Sequence, residues 1–288
     1  WAEAPVSAFM ALVPAGNGTL SLEVRLHNNT RVEMKDVKVD FRWPAKGLPF
    51  STAAEWILRE YVKSAGGIPA GTSKTVTLAT LLDARKPFED GYVRARITAP
   101  GEDLAVEDTL WFVPAARVTV PAELENRLAA WLAYDWAWAP MGRTKSQLST
   151  GGEKFGYPGY SLDGRAAFRV GYDAKNLYLH VTVEDNQLAE TGEAVTMQLR
   201  SLWGSDCYNT RVVLDPKNGV VTDITGGKRL TTIITIPWAK TGIEPKAGAM
   251  LRFDLLWTDS DVSDKKAMHG TLKWAGGSKG WGFLLLEK

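Results

Sequence analysis

The stretch FRVGYDAKNLYLHVTVED, residues 168–185, decides the fold of the C-terminal half of the chain. Apolar and polar residues alternate on both sides of a short polar segment, Asp173–Asn176, as they do in half-buried strands. Asp and Asn tolerate the backbone angles that tight turns require. Two such runs around a polar turn predict an antiparallel hairpin, and therefore a β-rich architecture.

The rest of the C-terminal half continues this strand pattern. Runs of apolar and β-branched residues, separated by Gly, Pro, Asn and Asp, predict further strands at residues 194–200, 210–214, 219–224, 229–237, 250–258, 270–274 and 282–286. A short helix is predicted over Glu123–Tyr134, and a long loop over residues 141–164. Strands do not alternate with helices, which favours antiparallel over parallel sheets.

The N-terminal half shows the same kind of pattern. Alternating residues on both sides of an Asn-Asn-Thr turn predict a hairpin over residues 19–43. A turn is predicted at Pro69–Thr72, and strands at residues 75–78, 92–97 and 104–113. The Pro-Ala-Gly turn before a Thr/Val strand resembles immunoglobulin-like or fibronectin-like accessory domains.

The predicted fold class is therefore all-β, with two antiparallel β-sandwich domains in tandem. A length of 288 residues fits two domains of ordinary size. We place an Ig-like spacer domain over residues 1–116 and the second sandwich over residues 117–288. Many short strands split by Gly, Pro and Asn turns are typical of this architecture.

Charge and composition exclude several classes of function. The 34 basic and 33 acidic residues give a net charge of +1 without a long run of one sign, so no nucleic-acid or anionic-membrane footprint is present. No stretch of about 18 apolar residues occurs. The single cysteine, Cys207, excludes an internal disulfide and is predicted to be a packed, unreactive thiol. Because the first residue is Trp1 rather than Met, we expect a processed product or part of a longer protein.

Catalytic signatures are absent from the sequence. No HExxH, GxSxG, GxGxxG or GxxxxGK[ST] motif occurs, and His27, His180 and His269 lack metal-ligand spacing. His180 lies in an apolar alternating run, where a structural role is expected. Paired carboxylates for glycoside hydrolysis meet only in space, so a glycoside hydrolase stays open as the less favoured alternative. We expect a binding or scaffolding protein rather than an enzyme.

Twelve tryptophans are the unusual feature of the composition. Tryptophan fills cores, but an exposed indole also packs flat against the C–H face of a sugar ring. Trp238, Trp257 and Trp274 lie within strand patterns and are predicted to be core residues. The predicted ligand-binding residues, in which aromatic rings supply stacking and arginine a charged donor, are Trp203, Tyr208, Arg211 and Trp281.

Three groups of residues in the second half resemble the family 9 carbohydrate-binding modules. The groups are Phe168–Asp173 with Asn176–Leu179 and Val183–Asp185, then Ile234–Trp238 with Gly242, Pro245 and Gly248, and then Leu251–Leu255 with Asp259, Asp261, Leu272, Trp274 and Gly282. They keep the order that they have in the family. The resemblance implies a β-sandwich that binds an oligo- or polysaccharide without catalysing a reaction.

The site of that family is only partly matched in this sequence. In the sugar-binding members, a terminal sugar lies between two tryptophans beside a polar cluster. Here the stretch that would hold the first tryptophan, Leu188–Glu193, has no aromatic residue, and the family's glutamate falls near Thr196. Arg211 matches the family's arginine, and Trp281 is the one candidate for the second tryptophan. The missing ring favours the alternative of a structural or protein-interaction module that has lost the sugar site.

The resemblance also implies a metal and a setting. The family often carries structural calcium, and the predicted ligands are Asp173, Glu184 and Asp185, with Asp259 and Asp261 as further candidates. Solvated turn acids are the alternative. Such modules belong to secreted bacterial proteins that degrade polysaccharides, so we expect an extracellular, cell-surface or periplasmic location. A catalytic domain of the same parent protein is the expected partner, while nucleic acid and membrane insertion are not expected.

Overall fold

The computed structural model describes most of both halves of the chain. The described residues are 5–16, 18–44, 58–83, 88–99, 102–118, 139–141, 164–185, 188, 193–204, 206–263, 266–275 and 281–287. The helix predicted over Glu123–Tyr134 lies outside them, and so does the loop predicted over residues 141–164, except at its two ends.

The chain divides into two compact units, of which the first comprises Trp1–Asp83 and Asp90–Leu110. Its strands are β1 (Val6–Gly16), β2 (Thr19–Asn28), β3 (Met34–Pro44), β4 (Leu58–Ile68), β5 (Ser73–Asp83), β6 (Phe88–Ala99) and the first part of β7 (Glu102–Arg117). Strand β2 lies between β1 and β5 in one antiparallel sheet. Strand β3 lies between β4 and β6 in another.

The hairpin predicted over residues 19–43 is wrong in its pairing, although both of its strands exist. Strand β2 pairs with β1 and β5, whereas β3 pairs with β4 and β6. The buried side chain of Asn28 explains the crossing, because its Nδ2 donates to the carbonyls of Val32 (2.8 Å) and Ile68 (2.9 Å). These bonds satisfy backbone groups of the connection and direct the chain into the second sheet. The turn predicted at Pro69–Thr72 is confirmed by a hydrogen bond from Thr72 N to Pro69 O of 3.2 Å.

The second unit comprises Ala84–Glu89 and Trp111–Lys288, so the division falls within β7. The boundary predicted between residues 116 and 117 lies at the end of the same strand. The further strands are β8 (Ala139–Pro140), β9 (Gly164–Tyr172), β10 (Asn176–Asp185), β11 (Ala194–Ser201), β12 (Tyr208–Val213), β13 (Val220–Ile224), β14 (Gly227–Pro237), β15 (Met250–Ser263), β16 (Lys266–Lys273) and β17 (Gly282–Leu286). A 3-10 turn covers Pro216–Asn218, and one helical turn, α1, covers Trp238–Thr241.

The all-β fold class is confirmed, and the strands of the second unit lie in two layers. One layer has the order β12–β11–β15–β17, and the other has the order β9–β10–β14–β13. Pairing is antiparallel as predicted, except at the end of β7. There, Phe112–Ala115 pairs in parallel with β17, and Ala115–Arg117 pairs in parallel with β9. One short segment therefore joins the edges of both layers.

A single apolar core fills the space between the layers. Phe168, Phe253 and Trp274 meet at its centre, with ring centroids 5.4 to 5.7 Å apart. Phe168 and Trp274 meet edge to face at 87°, a favourable aromatic geometry. The core prediction for Trp238, Trp257 and Trp274 is confirmed, because all three are buried. The indole N–H groups of Trp238 and Trp257 donate to Asp173 O (3.0 Å) and to Glu193 Oε2 (2.6 Å).

The turn between β9 and β10 depends on the carboxylate of Asp173. Its Oδ1 accepts the backbone N–H groups of Lys175 and Asn176, each at 2.6 Å, and its Oδ2 accepts the hydroxyl of buried Tyr178 at 2.8 Å. This single side chain therefore fixes the turn and provides an acceptor for a hydroxyl that is shielded from water.

We expect Asp173→Ala to lower the free energy of unfolding of the second unit by about 2 kcal/mol, because a buried hydroxyl loses an acceptor along with two turn bonds. Urea denaturation followed by tryptophan fluorescence measures the change. Asp215→Ala is the matched control, since the side chain of Asp215 accepts from Lys217 N and Asn218 Nδ2 at an exposed 3-10 turn. Equal losses in the two variants would contradict the role given to Asp173.

Candidate functional site

The strand β11 presents two chemically different faces. Val195, Met197 and Leu199 are buried in the core, so alternation directs the residues between them to the outer side of the sheet. Strand pairing places residues of β12 and β15 beside them, and Trp281 precedes β17 on the same side. We name this surface the arginine face, and its residues are Thr196, Gln198, Arg200, Asn209, Arg211, Arg252, Asp254 and Trp281.

The register arranges the arginine face in rows across the strands. Gln198 lies opposite Asn209 of β12 and Asp254 of β15. Two residues further along, Arg200 lies opposite Arg252. In the other direction, Thr196 lies opposite Arg211. Directly opposite residues have Cβ atoms about 5 Å apart, so these amide, carboxylate and guanidinium groups form one continuous polar surface.

Two of the arginines lie over aromatic rings. The guanidinium carbon of Arg200 is 4.4 Å from the centroid of the Trp281 ring, and that of Arg252 is 4.7 Å from the Phe283 ring. Both distances are within the range of cation–π attraction. Trp281 is half-buried, and the Nε of Arg200 is shielded from solvent without a hydrogen-bond partner in the part of the chain that the structure describes. The stack therefore holds the planar Arg200 head group in a fixed orientation.

Exposure changes steadily across the arginine face. Arg252 and Asp254 on β15 are buried, Gln198 and Arg200 on β11 are half-buried, and Arg211 on β12 is exposed. The solvent exposure of the polar groups therefore increases from β15 through β11 to β12. A ligand that approaches β12 from solvent meets charged and amide groups whose surroundings become progressively drier.

Asp254 anchors the backbone next to this surface. Its Oδ1 accepts the N–H groups of Leu255 (2.9 Å) and Ala275 (3.1 Å). Ala275 is the last described residue before Trp281. Asp254 therefore fixes the backbone at Ala275.

The structure brings two of the four predicted ligand residues onto the arginine face. Arg211 and Trp281 both belong to it. Trp203 lies in the turn after β11 with 46% of its surface exposed, and the turn is closed by a hydrogen bond from Gly204 N to Ser201 O of 3.2 Å. Tyr208 pairs with Leu199 and packs against the core, so its ring lies on the side opposite Arg211.

The predicted calcium ligands do not lie together. Asp173 is at one end of β10, and Glu184 and Asp185 are at the other, roughly 25 Å away at the usual rise of a strand. Both oxygens of Asp173 accept hydrogen bonds, and Glu184 is ion-paired with Arg229, whose Nε lies 2.8 Å from Glu184 Oε1. Among the described residues, no three His, Cys, Asp or Glu side chains converge as a metal site. The side chains of Asp259 and Asp261 lie outside the described part.

A buried basic pair occupies the outer side of the other layer. His180 on β10 lies opposite Arg169 on β9, and both are buried. Burial, together with the positive charge of Arg169, lowers the pKa of His180 to about 4. The imidazole is therefore neutral near pH 7, in keeping with the structural role expected for it.

Two other expectations concern chemistry elsewhere in the chain. Cys207 is exposed, so the prediction of a packed thiol is wrong, because the residue lies in the turn region before β12 and not in a strand that faces the core. Over the described residues, we find no helix with the length and apolar character that crossing a bilayer requires.

Arg200 and Gln198 were not among the residues predicted to bind ligand. The signal that identifies them is the alternation of Thr196, Gln198 and Arg200 with Val195, Met197 and Leu199, which marks a strand with one apolar and one polar face. Period-two alternation is visible in the sequence, but the proximity of Trp281 is not. The partner of Arg200 is 81 positions away in the chain and is brought near by the pairing of β15 with β11 and β17.

Comparison with known proteins returned structural similarities only. No protein-family model matches the chain, and no curated protein matches it. The chain is similar to a family 9 carbohydrate-binding module from Caldicellulosiruptor kristjanssonii in complex with glucose, with 14% identity and a TM-score of 0.38 over 61% of this chain and 95% of the other. A module of that family from the same organism, in complex with cellotriose, has 15% identity and a TM-score of 0.35 over 61% of this chain and 92% of the other.

These two structures belong to the family that the second half of the sequence resembles. Red sea bream transglutaminase is also similar, with 10% identity and a TM-score of 0.22 over 98% of this chain and 31% of the other.

Proposed function

We propose that the second unit binds a carbohydrate on the arginine face without catalysing a reaction. The observation that carries the proposal is the Arg200–Trp281 stack beside a ladder of amide and guanidinium groups on a half-exposed strand face. Aromatic rings with polar neighbours are suited to sugars, because a pyranose has a C–H face to pack and hydroxyls to hydrogen-bond.

Each part of the surface has a separate task in this proposal. The exposed part of the Trp281 ring packs against the sugar, while Arg200 holds that ring in position from the other side. Gln198 and Asn209 lie opposite each other and provide both donors and acceptors for hydroxyl groups. Because the open side of the surface buries only part of a ligand, the affinity for a short oligosaccharide is expected to be modest.

The setting of this activity is also a proposal. The resemblance to family 9 modules supports a place within a larger secreted protein that degrades polysaccharides, with a catalytic domain of the same parent as partner. The first unit then serves as a spacer with an Ig-like sandwich. Structural calcium stays a prediction from the same resemblance.

Removing the aromatic ring of the proposed site tests it. We expect Trp281→Ala to weaken oligosaccharide binding about tenfold, because stacking with one indole contributes on the order of 1 kcal/mol or more. Isothermal titration calorimetry with a panel of plant, algal and host oligosaccharides gives the affinities. Phe9→Ala is the matched control, because it removes a 47% exposed aromatic ring from the first unit. An unchanged affinity for Trp281→Ala, or no heat with any member of the panel, would contradict the proposal.

A protein-interaction module is the second candidate, and one observation favours it. Strand β13 ends the order of its layer, and its Val220 and Val221 are 51% and 40% exposed. An edge strand with apolar side chains can pair with a strand of another protein. Sedimentation of the wild type and of Val221→Lys tests whether this edge supports self-association, which the lysine is expected to abolish.

A further inference from the structure

We propose that the arginine face selects anionic saccharides, which carry carboxylate or sulfate groups, over neutral ones. This inference rests on the proposed function and specifies the class of ligand. It follows from the charge of the surface, from the arrangement of its arginines and from the way in which their head groups are held.

The arginine face has an excess of positive charge. Its described residues include three arginines, Arg200, Arg211 and Arg252, and one carboxylate, that of Asp254. The Oδ1 of that carboxylate already accepts two backbone N–H groups. Neither Arg200 nor Arg211 makes an ion pair with any residue that the structure describes. The chain as a whole is nearly neutral at +1, so the excess is local to this surface.

The cross-strand position of two arginines concentrates positive charge at one point of the ladder. Arg200 and Arg252 are directly opposite in the β11–β15 ladder, and like charges at that spacing destabilise a sheet. Arg252 is also buried, where repulsion is screened less by water and salt. An oxyanion beside Arg200 would be attracted by both charges.

The geometry of the head groups fits a planar or tetrahedral oxyanion. The head group of Arg200 lies over Trp281, and that of Arg252 lies over Phe283. A guanidinium whose plane is fixed loses less entropy when it forms two parallel N–H···O bonds to one carboxylate or sulfate. Arg211, on the open side, adds a longer-range attraction that neutral sugars do not experience.

The test compares ligands of equal length that differ in charge. Calorimetry with oligogalacturonate, a heparin oligosaccharide and a cello-oligosaccharide, each of six sugar units, separates carboxylate, sulfate and neutral ligands. We expect at least one anionic ligand to bind about tenfold more tightly than the neutral one, and to weaken when salt is raised from about 0.05 M to about 0.5 M. An oligothymidylate of matched charge reports binding to any polyanion.

Substitutions then assign the selectivity to the arginine face. Arg211→Gln is expected to reduce the affinity for the anionic ligand about fivefold more than it reduces the affinity for the neutral one. Arg211 is exposed, so this change leaves the core intact. Arg165→Gln is the control, because it removes an exposed arginine from β9, in the other layer.

Each outcome decides between the two proposals. Equal affinity for the anionic and neutral saccharides overturns the selectivity and leaves the proposed function standing. No binding of any saccharide overturns both. Oligothymidylate binding as tight as that of the anionic saccharide, or an unchanged affinity in Arg211→Gln, also overturns the inference drawn here.

Discussion

Replacing Trp274 with alanine is expected to destabilise the second unit by about 3–5 kcal/mol, the range found for large aromatic residues truncated in a core. Trp274 is 1% exposed and contacts the rings of both Phe168 and Phe253, with centroids 5.4 Å from each. The substitution removes the ring that contacts both layers of the second unit at the centre of the core. The surrounding strands can close the resulting cavity only in part. Urea denaturation, followed by near-ultraviolet circular dichroism, measures the loss.

The control for this prediction is a substitution of the same type on the surface. Trp203 has 46% of its area exposed in the turn after β11, so Trp203→Ala is expected to change the free energy of unfolding by less than about 1 kcal/mol. Because the chain has two units, the transition of the second unit has to be resolved separately from that of the first. A similar loss in both variants would show that the three-ring contact is not central to the core.

Acid is expected to destabilise the second unit through His180. The pKa of this residue is about 4 in the folded state, mainly because of burial and then because of the charge of Arg169, whereas an unfolded chain restores a pKa near 6.5. The unfolded state therefore binds more protons between these two values, and stability falls as the pH drops from about 6.5 to about 4. A shift of this size corresponds to about 3 kcal/mol.

The contribution of His180 is isolated by comparing two proteins across the same pH range. Carboxylates also titrate near pH 4, so the wild type alone does not identify the group. His180→Gln keeps a polar side chain of similar size and cannot gain the proton, so its stability is expected to fall less between pH 6.5 and pH 4. Parallel stability profiles of the two proteins, measured by urea denaturation at each pH, would assign the acid sensitivity to other groups.

The strands were more predictable than their partners. Alternation over residues 194–200, for example, reflects burial on one side of a strand, which is a local property of the sequence. Pairing depends on contacts between distant segments. The prediction of a β2–β3 hairpin was wrong because the hydrogen bonds of Asn28 direct the chain from one sheet into another. The parallel pairing of β7 could not be predicted, because no local pattern in its own sequence indicates it.

The site was predictable to a similar and limited degree. Arg211 and Trp281 were proposed because a family resemblance pointed to those positions, and both lie on the arginine face. Tyr208 was proposed because it was expected at a loop tip between two strands, but the parity of β12 directs its ring to the core. Residue type does not reveal on which side of a strand a residue lies; the register with a buried neighbour does.

The end of β7 has a consequence for how the protein can be made and shortened. Residues 112–117 pair with β9, about 55 positions later, and with β17, about 170 positions later. During synthesis, this segment leaves the ribosome long before residue 286, the end of its second partner strand. We therefore expect the second unit to complete its fold late. Pairing between such distant segments also gives the unit a high contact order. A gene fragment that starts at residue 117 would lack this segment and expose two strand edges prone to aggregation, whereas a fragment that starts before Trp111 would retain it.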